Sequence, residues 1–465
     1  MNRRNQTLLG LAPAALLLGG CAVRSSREAP PPALPESYAA AGDLGAAADP
    51  RILAQWWKGF GDPLLDSLIE RTVSGNLDLR IAEERVREAR ATRGYTAATR
   101  RSPNAGVSGG YSDRSGGRQE FTSSGTGLYN TGFDASYELD LFGGARASVR
   151  AAEADARATE EGMRHVLVTA VAETARNYME LRESQERLEV ARKTLATQEE
   201  ALRLTELRRK AGLTSDFDTT RAKAQVESMR AGIPTLEAQV QRSINAIALL
   251  IGEQPSKVQT DLAEMRPMPV TPPAVPVGLP SDLLRRRPDV REAESNIAGS
   301  AARVGVAVSN LYPKFSLTSS AGGQSGILTQ ILSGAARIWA FGTSFSWGIL
   351  NYSATKANIQ AAESREQQAV MAYEKTVLTA LTDVENALSA YTNEKERQPA
   401  LEQALAAQRK ALDLANIRYK NGLSNFLEVL DAQRSLYSGE DALTQSRAGV
   451  NTNLVALYKA LGGGW

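Results

Sequence analysis

The two side chains that carry most metal and nucleophilic chemistry occur once each in these 465 residues, as His165 and Cys21. A zinc site, a Cys-His dyad and a disulfide framework each need more than that. A Ser-His-Asp arrangement would have to use His165, and no G-x-S-x-G turn accompanies it. On an amphipathic helix a lone His is more often a packing or surface residue. No phosphate-binding P-loop is present, so an enzyme is the least favoured class. What remains is the thiol of Cys21 and carboxylates that composition alone does not single out. Arg3 and Arg4 precede an apolar run over 8–18 that contains Pro13. The run is too short to span a bilayer but fits the h-region of a secretory signal. It closes Leu18-Gly19-Gly20-Cys21, which resembles a bacterial lipobox, so Cys21 is expected to be lipidated and to become the new N-terminus. Ala22 stands where similar lipoproteins held at the inner membrane carry Asp, which implies the outer membrane. Residues 1–20 then read as signal peptide and 21–50, rich in Pro and Ala, as a lipidated tether.

These groups need elements to position them. Lys and Arg total 54 against 52 Asp and Glu, a balance that argues against nucleic acid as a partner. No 18-residue apolar run follows the signal, so no membrane-spanning helix is expected. No Pro lies between Pro103 and Pro234 and no Gly between Gly348 and Gly422, which marks long helical intervals. Leu181, Leu188, Leu195 and Leu202 recur every seven residues, as in a coiled-coil seam. A helix over about 144–210 would be on the order of 100 Å long at ~1.5 Å per residue. In the second long helix Pro399 predicts a kink or local break.

An internal repeat organises the chain. Ala151-Ala152-Glu153 recurs as Ala361-Ala362-Glu363, and Lys210-x-Gly212-Leu213 as Lys420-x-Gly422-Leu423, both at an offset of 210. After the Gly-Leu pair the best matches shift to 208, as in Ala224-Gln225 with Ala432-Gln433, so a two-residue slip is expected there. The copies are placed at 51–265 and 281–465, each with helices, two strands and a long helical hairpin, joined by a Pro-rich linker at 266–280.

Within each copy the hydrophobic period changes once. Phe133, Ala135, Tyr137, Leu139 and Leu141 alternate with polar residues, and Trp339, Phe341, Thr343, Phe345, Trp347 and Ile349 do the same. Period two over nine or more residues suits a strand with one face on lipid and one on water. Shorter partners at 105–111 and 314–320 make four strands per chain. Four strands cannot close a barrel, and an open sheet edge is not tolerated in lipid. Three copies supply twelve strands. Two would give the small eight-stranded barrel whose interior fills with side chains, so a pore favours the trimer.

At this point the sequence resembles the outer membrane factor family of TolC and OprM type, in the NodT-like lipoprotein branch that serves resistance-nodulation-division (RND) efflux. The matching stretches include Trp56-Trp57-Lys58-x-Phe60-x-Asp62-Pro63, Tyr137-Glu138-Leu139-Asp140-Leu141-Phe142-Gly143, Arg285-Arg286-Arg287-Pro288-Asp289-Val290, Leu311-Tyr312-Pro313 and Ala460-Leu461-Gly462-Gly463-Gly464-Trp465. The resemblance implies a mainly α protomer with membrane β. Three such protomers would form a twelve-stranded outer membrane β-barrel continued by a long periplasmic α-helical barrel. The implied function is passive conduction of small molecules, as the exit duct of a tripartite pump with no cofactor. Its partners would be a periplasmic adaptor (membrane fusion protein), an inner membrane RND transporter and outer membrane lipid. The turns Gly212-Leu213-Thr214 and Gly422-Leu423-Ser424 match the family's adaptor-docking tip, and Glu428 with Asp431 its periplasmic gate. Thr220 and Lys223 answer the two acids in the first copy at the 208 offset. The alternatives are the outer membrane duct of a type I protein secretion system and, in a different class, a pore-less periplasmic coiled-coil adaptor.

Overall fold

The computed structural model describes residues 34–39, 53–113, 127–272 and 278–465. The signal peptide, Cys21, most of the tether and residues 273–277 of the linker lie outside the described residues. The chain divides into two compact units, each drawing on both copies of the repeat. One takes Arg85–Glu160 and Glu292–Glu374, the other Pro32–Glu84, Glu161–Arg291 and Lys375–Trp465. The strands are β1 (Asn104–Ser112), β2 (Leu128–Leu139), β3 (Lys314–Ser325) and β4 (Arg337–Ser346). The helices are α1 (Pro63–Gly75), α2 (Leu77–Arg101), α3 (Gly144–Lys210), α4 (Asp216–Leu250), α5 (Pro255–Ala263), α6 (Pro280–Arg286), α7 (Pro288–Ser309), α8 (Tyr352–Lys420) and α9 (Phe426–Ala460). None of these helices is long and apolar enough to cross a membrane.

In the first unit the strands form one antiparallel sheet in the order β1-β2-β3-β4. Its register sorts the two faces cleanly. Val107, Phe133, Ala321 and Trp339 make one cross-strand row, and Ala105, Ala135, Ser319 and Phe341 the next on the same face. The intervening row is Gly106, Asp134, Ser320 and Ala340, on the opposite face. There the Ser108 hydroxyl donates to Asp134 at 2.8 Å. One face is thus apolar and aromatic, with Trp339 and Phe341 among its most exposed residues, while the other is glycine, small residues and a few polar groups. Several strand boundaries differ from the sequence reading, among them the end of β3, which runs to Ser325 instead of 320. β2 begins five residues before Phe133 and stops at Leu139 because the Asp140 carboxylate caps α3, accepting from the Ala145 and Arg146 amides at 3.1 and 3.0 Å. β4 stops at Ser346, and Ile349 falls in a 3₁₀ turn instead of the strand.

The long helices come in matched pairs, α3 with 67 residues against α8 with 69, and α4 against α9 with 35 each. α4 starts at Asp216 and α9 at Phe426, and the positive-φ glycines closing them are Gly252 and Gly462. Both ends keep the offset of 210, so the two-residue slip read from the sequence is not in the backbone. The matches at 208 are Ala, Gln, Leu and Asn, common enough in such helices to coincide by chance. α8 also runs unbroken through Pro399, and α4 through Pro234. Both prolines are exposed, so water can take the carbonyl left without its amide donor. Along α3 the leucine seam is only half right. Leu188, Leu195 and Leu202 are half-buried, whereas Ser184, Ala191, Gln198 and Thr205, also spaced by seven, are each at most 3% exposed.

The second unit is tied together where the copies join. Trp56 stacks on Tyr458 at 5.1 Å, and the Gly464 amide donates to the Leu53 carbonyl at 3.0 Å. A Cβ on Gly463 would stand 2.8 Å from that same carbonyl, which explains glycine in the terminal motif. The Trp465 indole donates to the Arg286 carbonyl, and its ring lies under the guanidinium groups of Arg164 and Arg291 at 4.9 and 5.2 Å. The buried Arg287 makes four hydrogen bonds. It donates to both Asp289 oxygens at 3.0 and 2.7 Å, to Asp383 at 3.1 Å and to the Ala460 carbonyl at 3.1 Å. The Arg-Arg-Arg-Pro-Asp motif therefore fastens the start of the second copy to the end of α9. The linker is held as well, because the Asn451 side chain donates to the Pro269 carbonyl at 2.9 Å and accepts from Thr271 at 2.7 Å.

Candidate tip and channel site

Both long hairpins turn through the same device. Gly212 and Gly422 each have φ of 71°. In the first turn the amides of Gly212 and Leu213 donate to the carbonyls of Arg209 and Arg208 at 2.9 and 2.8 Å; in the second those of Gly422 and Leu423 reach Tyr419 and Arg418 at 3.1 and 2.9 Å. This is the Schellman ending, in which glycine supplies the left-handed residue. A Cβ at either glycine would meet nothing within 4 Å, so backbone conformation alone requires it. The motif often packs the next side chain back on the helix. Here Leu213 and Leu423 stay 72% and 69% exposed.

The helices that leave the turns are capped differently. Ser215 and Asp218 form a reciprocal capping box. The Asp218 carboxylate also accepts from Thr214 at 2.7 Å, and this bond foremost, with those from Ser215, holds the carboxyl below the usual range. Arg209 reaches across the turn to Asp216 at 2.8 Å. In the second copy Asn425 caps α9 by accepting from the Glu428 amide at 3.3 Å, and the Ser424 hydroxyl is buried without a partner. Thr214 is thus engaged within its own turn and Ser424 is not.

At the structural offset of 210, Glu428 answers Asp218, and Asp431 answers Arg221. This corrects the pairing with Thr220 and Lys223. Glu428 shares with Asp218 the third position of a helix, where a carboxylate favours the positive dipole end, and it lies 3.9 Å from Arg418. Asp431, one turn on, is exposed and makes no ion pair among the described residues. The asymmetry between copies therefore rests on Asp431.

The two hairpins meet near their tips in one apolar cluster. Ala222 of α4, Ala415 of α8 and Phe426, Val429 and Leu430 of α9 are buried together, with Ala201 and Leu202 of α3 against them. Beside it runs a groove of about 380 Å³ between α3 and the α8–α9 turn. Arg208 lies 4.4 Å over the Tyr419 ring, and Tyr419 packs on Phe426 at 5.4 Å. The sequence reading did not select these residues. The available signal was the apolar run Phe426-Leu427-x-Val429-Leu430 that opens α9, where the first copy has Asp216-Phe217-Asp218-Thr219-Thr220. Among the described residues no cluster of His, Cys, Asp and Glu is placed to hold a metal ion.

A sheet with one apolar and one hydrophilic face, attached to duplicated helical hairpins with exposed Gly-Leu turns, defines the class as an outer membrane channel subunit. Comparison with known proteins gives the family. The family model for outer membrane efflux proteins matches twice, over residues 68–253 and 279–463. The chain is 32% identical to the solvent efflux pump outer membrane protein SrpC of Pseudomonas putida, covering 97% of each. It is 33% identical to the pyoverdine export outer membrane protein OpmQ of Pseudomonas aeruginosa, covering 98% of this chain and 97% of that one. Among solved structures, the outer-membrane channel OprN superposes with a TM-score of 0.88 at 36% identity, over 94% of this chain and 98% of that one. The chain belongs to the outer membrane efflux protein family.

Proposed function

We propose that three copies of the chain form the outer membrane exit duct of a tripartite RND-type efflux pump, conducting small molecules passively from a periplasmic adaptor and an inner membrane transporter to the exterior. The observation that carries this reading is the sheet. Among the described residues β1 pairs only with β2 and β4 only with β3, so both edges are open. Lipid does not tolerate open edges, and joining β4 of one copy to β1 of the next satisfies them. The apolar face then meets lipid and the glycine-rich face lines water. Lipidated Cys21 would add an anchor, and no catalytic step is involved. SrpC and OpmQ, named for solvent and for pyoverdine, are about equally similar to this chain, so the exported compound is left to the pump.

The adaptor docks at Gly212-Leu213-Thr214 and Gly422-Leu423-Ser424, where Leu213 and Leu423 stand exposed. Valine at position 212 or 422 imposes positive φ on a β-branched side chain, at a cost of about 1–2 kcal/mol. Asparagine accepts that conformation much better. In cells that depend on the chain for export, Gly422→Val is expected to reduce export and adaptor crosslinking at Leu423 several-fold with normal membrane insertion, while Gly422→Asn stays near wild type. Equal crosslinking and export in the valine variant would place docking elsewhere.

A further inference from the structure

The two hairpin loops of the sheet have opposite chemistry. The β1–β2 loop opens Asp113-Arg114-Ser115-Gly116-Gly117-Arg118-Gln119-Glu120, a composition that suits water. The β3–β4 loop reads Gly326-Ile327-Leu328-Thr329-Gln330-Ile331-Leu332-Ser333, and Arg337 is the single charged residue between Lys314 and Lys356. Ile327, Leu328 and Leu332 are 53%, 59% and 80% exposed. The loop also leans to a definite side. Gly323 pairs with Arg337 and stands two residues from Ala321, so both belong to the face of Trp339 and Phe341. A Cβ on Gly323 would collide with the Ile331 carbonyl, so the loop folds back over that apolar face and not over the glycine-rich one. Much of its backbone is satisfied internally. In and beside two 3₁₀ turns the amides of Gln330, Ile331, Ser333 and Ala336 donate to the carbonyls of Ile327, Leu328, Gln330 and Ser333, and the Ile327 amide donates to the Ser325 hydroxyl. A segment of this kind can lie at the headgroup–acyl boundary, with its apolar side chains sunk about 5–10 Å. Arg337 is exposed and makes no ion pair among the described residues. A charge on the lipid face is costly in hydrocarbon and cheap near the interface, which puts Arg337 at headgroup level.

We propose that the β3–β4 loop seats in the outer leaflet of the outer membrane, with Ile327, Leu328 and Leu332 among acyl chains and Arg337 facing a phosphate of the glycolipid that makes up that leaflet. The choice of leaflet rests on the duct reading. α3 follows the end of β2 and α7 precedes the start of β3, so the helices join the sheet at the end opposite this loop, and that reading puts them in the periplasm. The loop covers β3 and not the open edge of β4, which favours lipid over a neighbouring copy of the chain as its partner.

p-Benzoylphenylalanine in place of Leu332 probes the loop, and in place of Trp339 it probes the sheet face. Full-length variants in phosphatidylcholine nanodiscs containing diphosphoryl lipid A are irradiated, and the adducts are identified by mass spectrometry. Both positions are expected to yield lipid adducts, with lipid A captured at 332. Removing the lipid A phosphates, or introducing Arg337→Gln, should cut that capture about fivefold, the contribution of one basic residue at an anionic surface. Lipid adducts at 339 with none at 332, or capture of a neighbouring copy at 332, would overturn the proposal and leave the duct reading intact. Equal capture of phosphorylated and dephosphorylated lipid A would overturn the phosphate contact, and equal capture of phosphatidylglycerol would overturn the choice of glycolipid. Lipid adducts at neither position would overturn the duct reading as well.

Discussion

Arginine at position 341 is expected to prevent the chain from inserting into a bilayer, whereas arginine at position 320 is not. The two positions lie on neighbouring strands, β4 and β3, and one row apart in register, so depth is nearly shared and only the face differs. Phe341 is on the apolar face and 72% exposed. A charge on the lipid side of a barrel costs about 2–4 kcal/mol near the midplane, once per copy. Ser320 is on the opposite face beside Asp134, where a guanidinium meets water and a carboxylate. Heat-modifiable migration in gels and protease protection in liposomes would check this. Equal insertion of Phe341→Arg and wild type would mean that the apolar face does not meet lipid.

Replacing Arg287 with methionine is expected to unfasten the junction of the two copies. Asp289, with a side chain 22% exposed, loses both of its bonds to Arg287, and the Ala460 carbonyl loses its donor. Removing one partner of such a pair costs about 3–5 kcal/mol, because the other charge stays buried. Burial by itself would raise the Asp289 carboxyl. It sits below its ordinary value because the hydrogen bonds and charge of Arg287, helped by His165, outweigh burial. Since the folded value is depressed, this pair stabilises the wild type fully above the unfolded carboxylate value of about 3.9, and the contribution fades as pH falls through the lower folded value. In Arg287→Met the cation is gone and burial raises the carboxyl, so the defect should shrink on acidification from neutrality toward pH 5. Thermal unfolding across that range should show it, and Asp289→Asn in the same background should recover much of the loss at neutral pH. A pH-independent defect with no rescue would assign Arg287 a packing role only.

Much of this architecture is legible in the sequence because it rests on local rules. α3 spans 144–210 as its pattern predicts, and the Gly-Leu turns stand where left-handed glycines close helices. The alternation from Phe133 and from Trp339 marks real strands, although their ends are set by things alternation does not encode, such as the Asp140 cap and the 3₁₀ turn at Ile349. What escapes is whatever depends on partners distant in sequence. Ser184, Ala191, Gln198 and Thr205 form a buried line along the second half of α3 although none is a large apolar residue. The tip groove joins residues more than 200 positions apart, and no window along the chain contains both Arg208 and Tyr419. The false slip in the repeat has the same origin, since residue identity was read where only helix ends carry register.

We propose that the assembled chain is a conducting channel whose periplasmic end selects by charge. In a trimer Glu428 and Asp431 would bring six carboxylates to the narrow end, focusing a negative potential that attracts cations. Glu428 also serves the start of α9 and faces Arg418, so Asp431 should carry more of the effect. The direct measurement is reversal potential across a salt gradient in planar bilayers, with and without millimolar divalent cation on the periplasmic side. Wild type, Asp431→Asn and the double variant with Glu428→Gln are compared. Discrete conductance with cation preference and divalent block is expected in the wild type, with preference and block both weakened in Asp431→Asn and weakest in the double variant. Absence of conductance would contradict the duct itself, and identical selectivity and block in all three would contradict the gate.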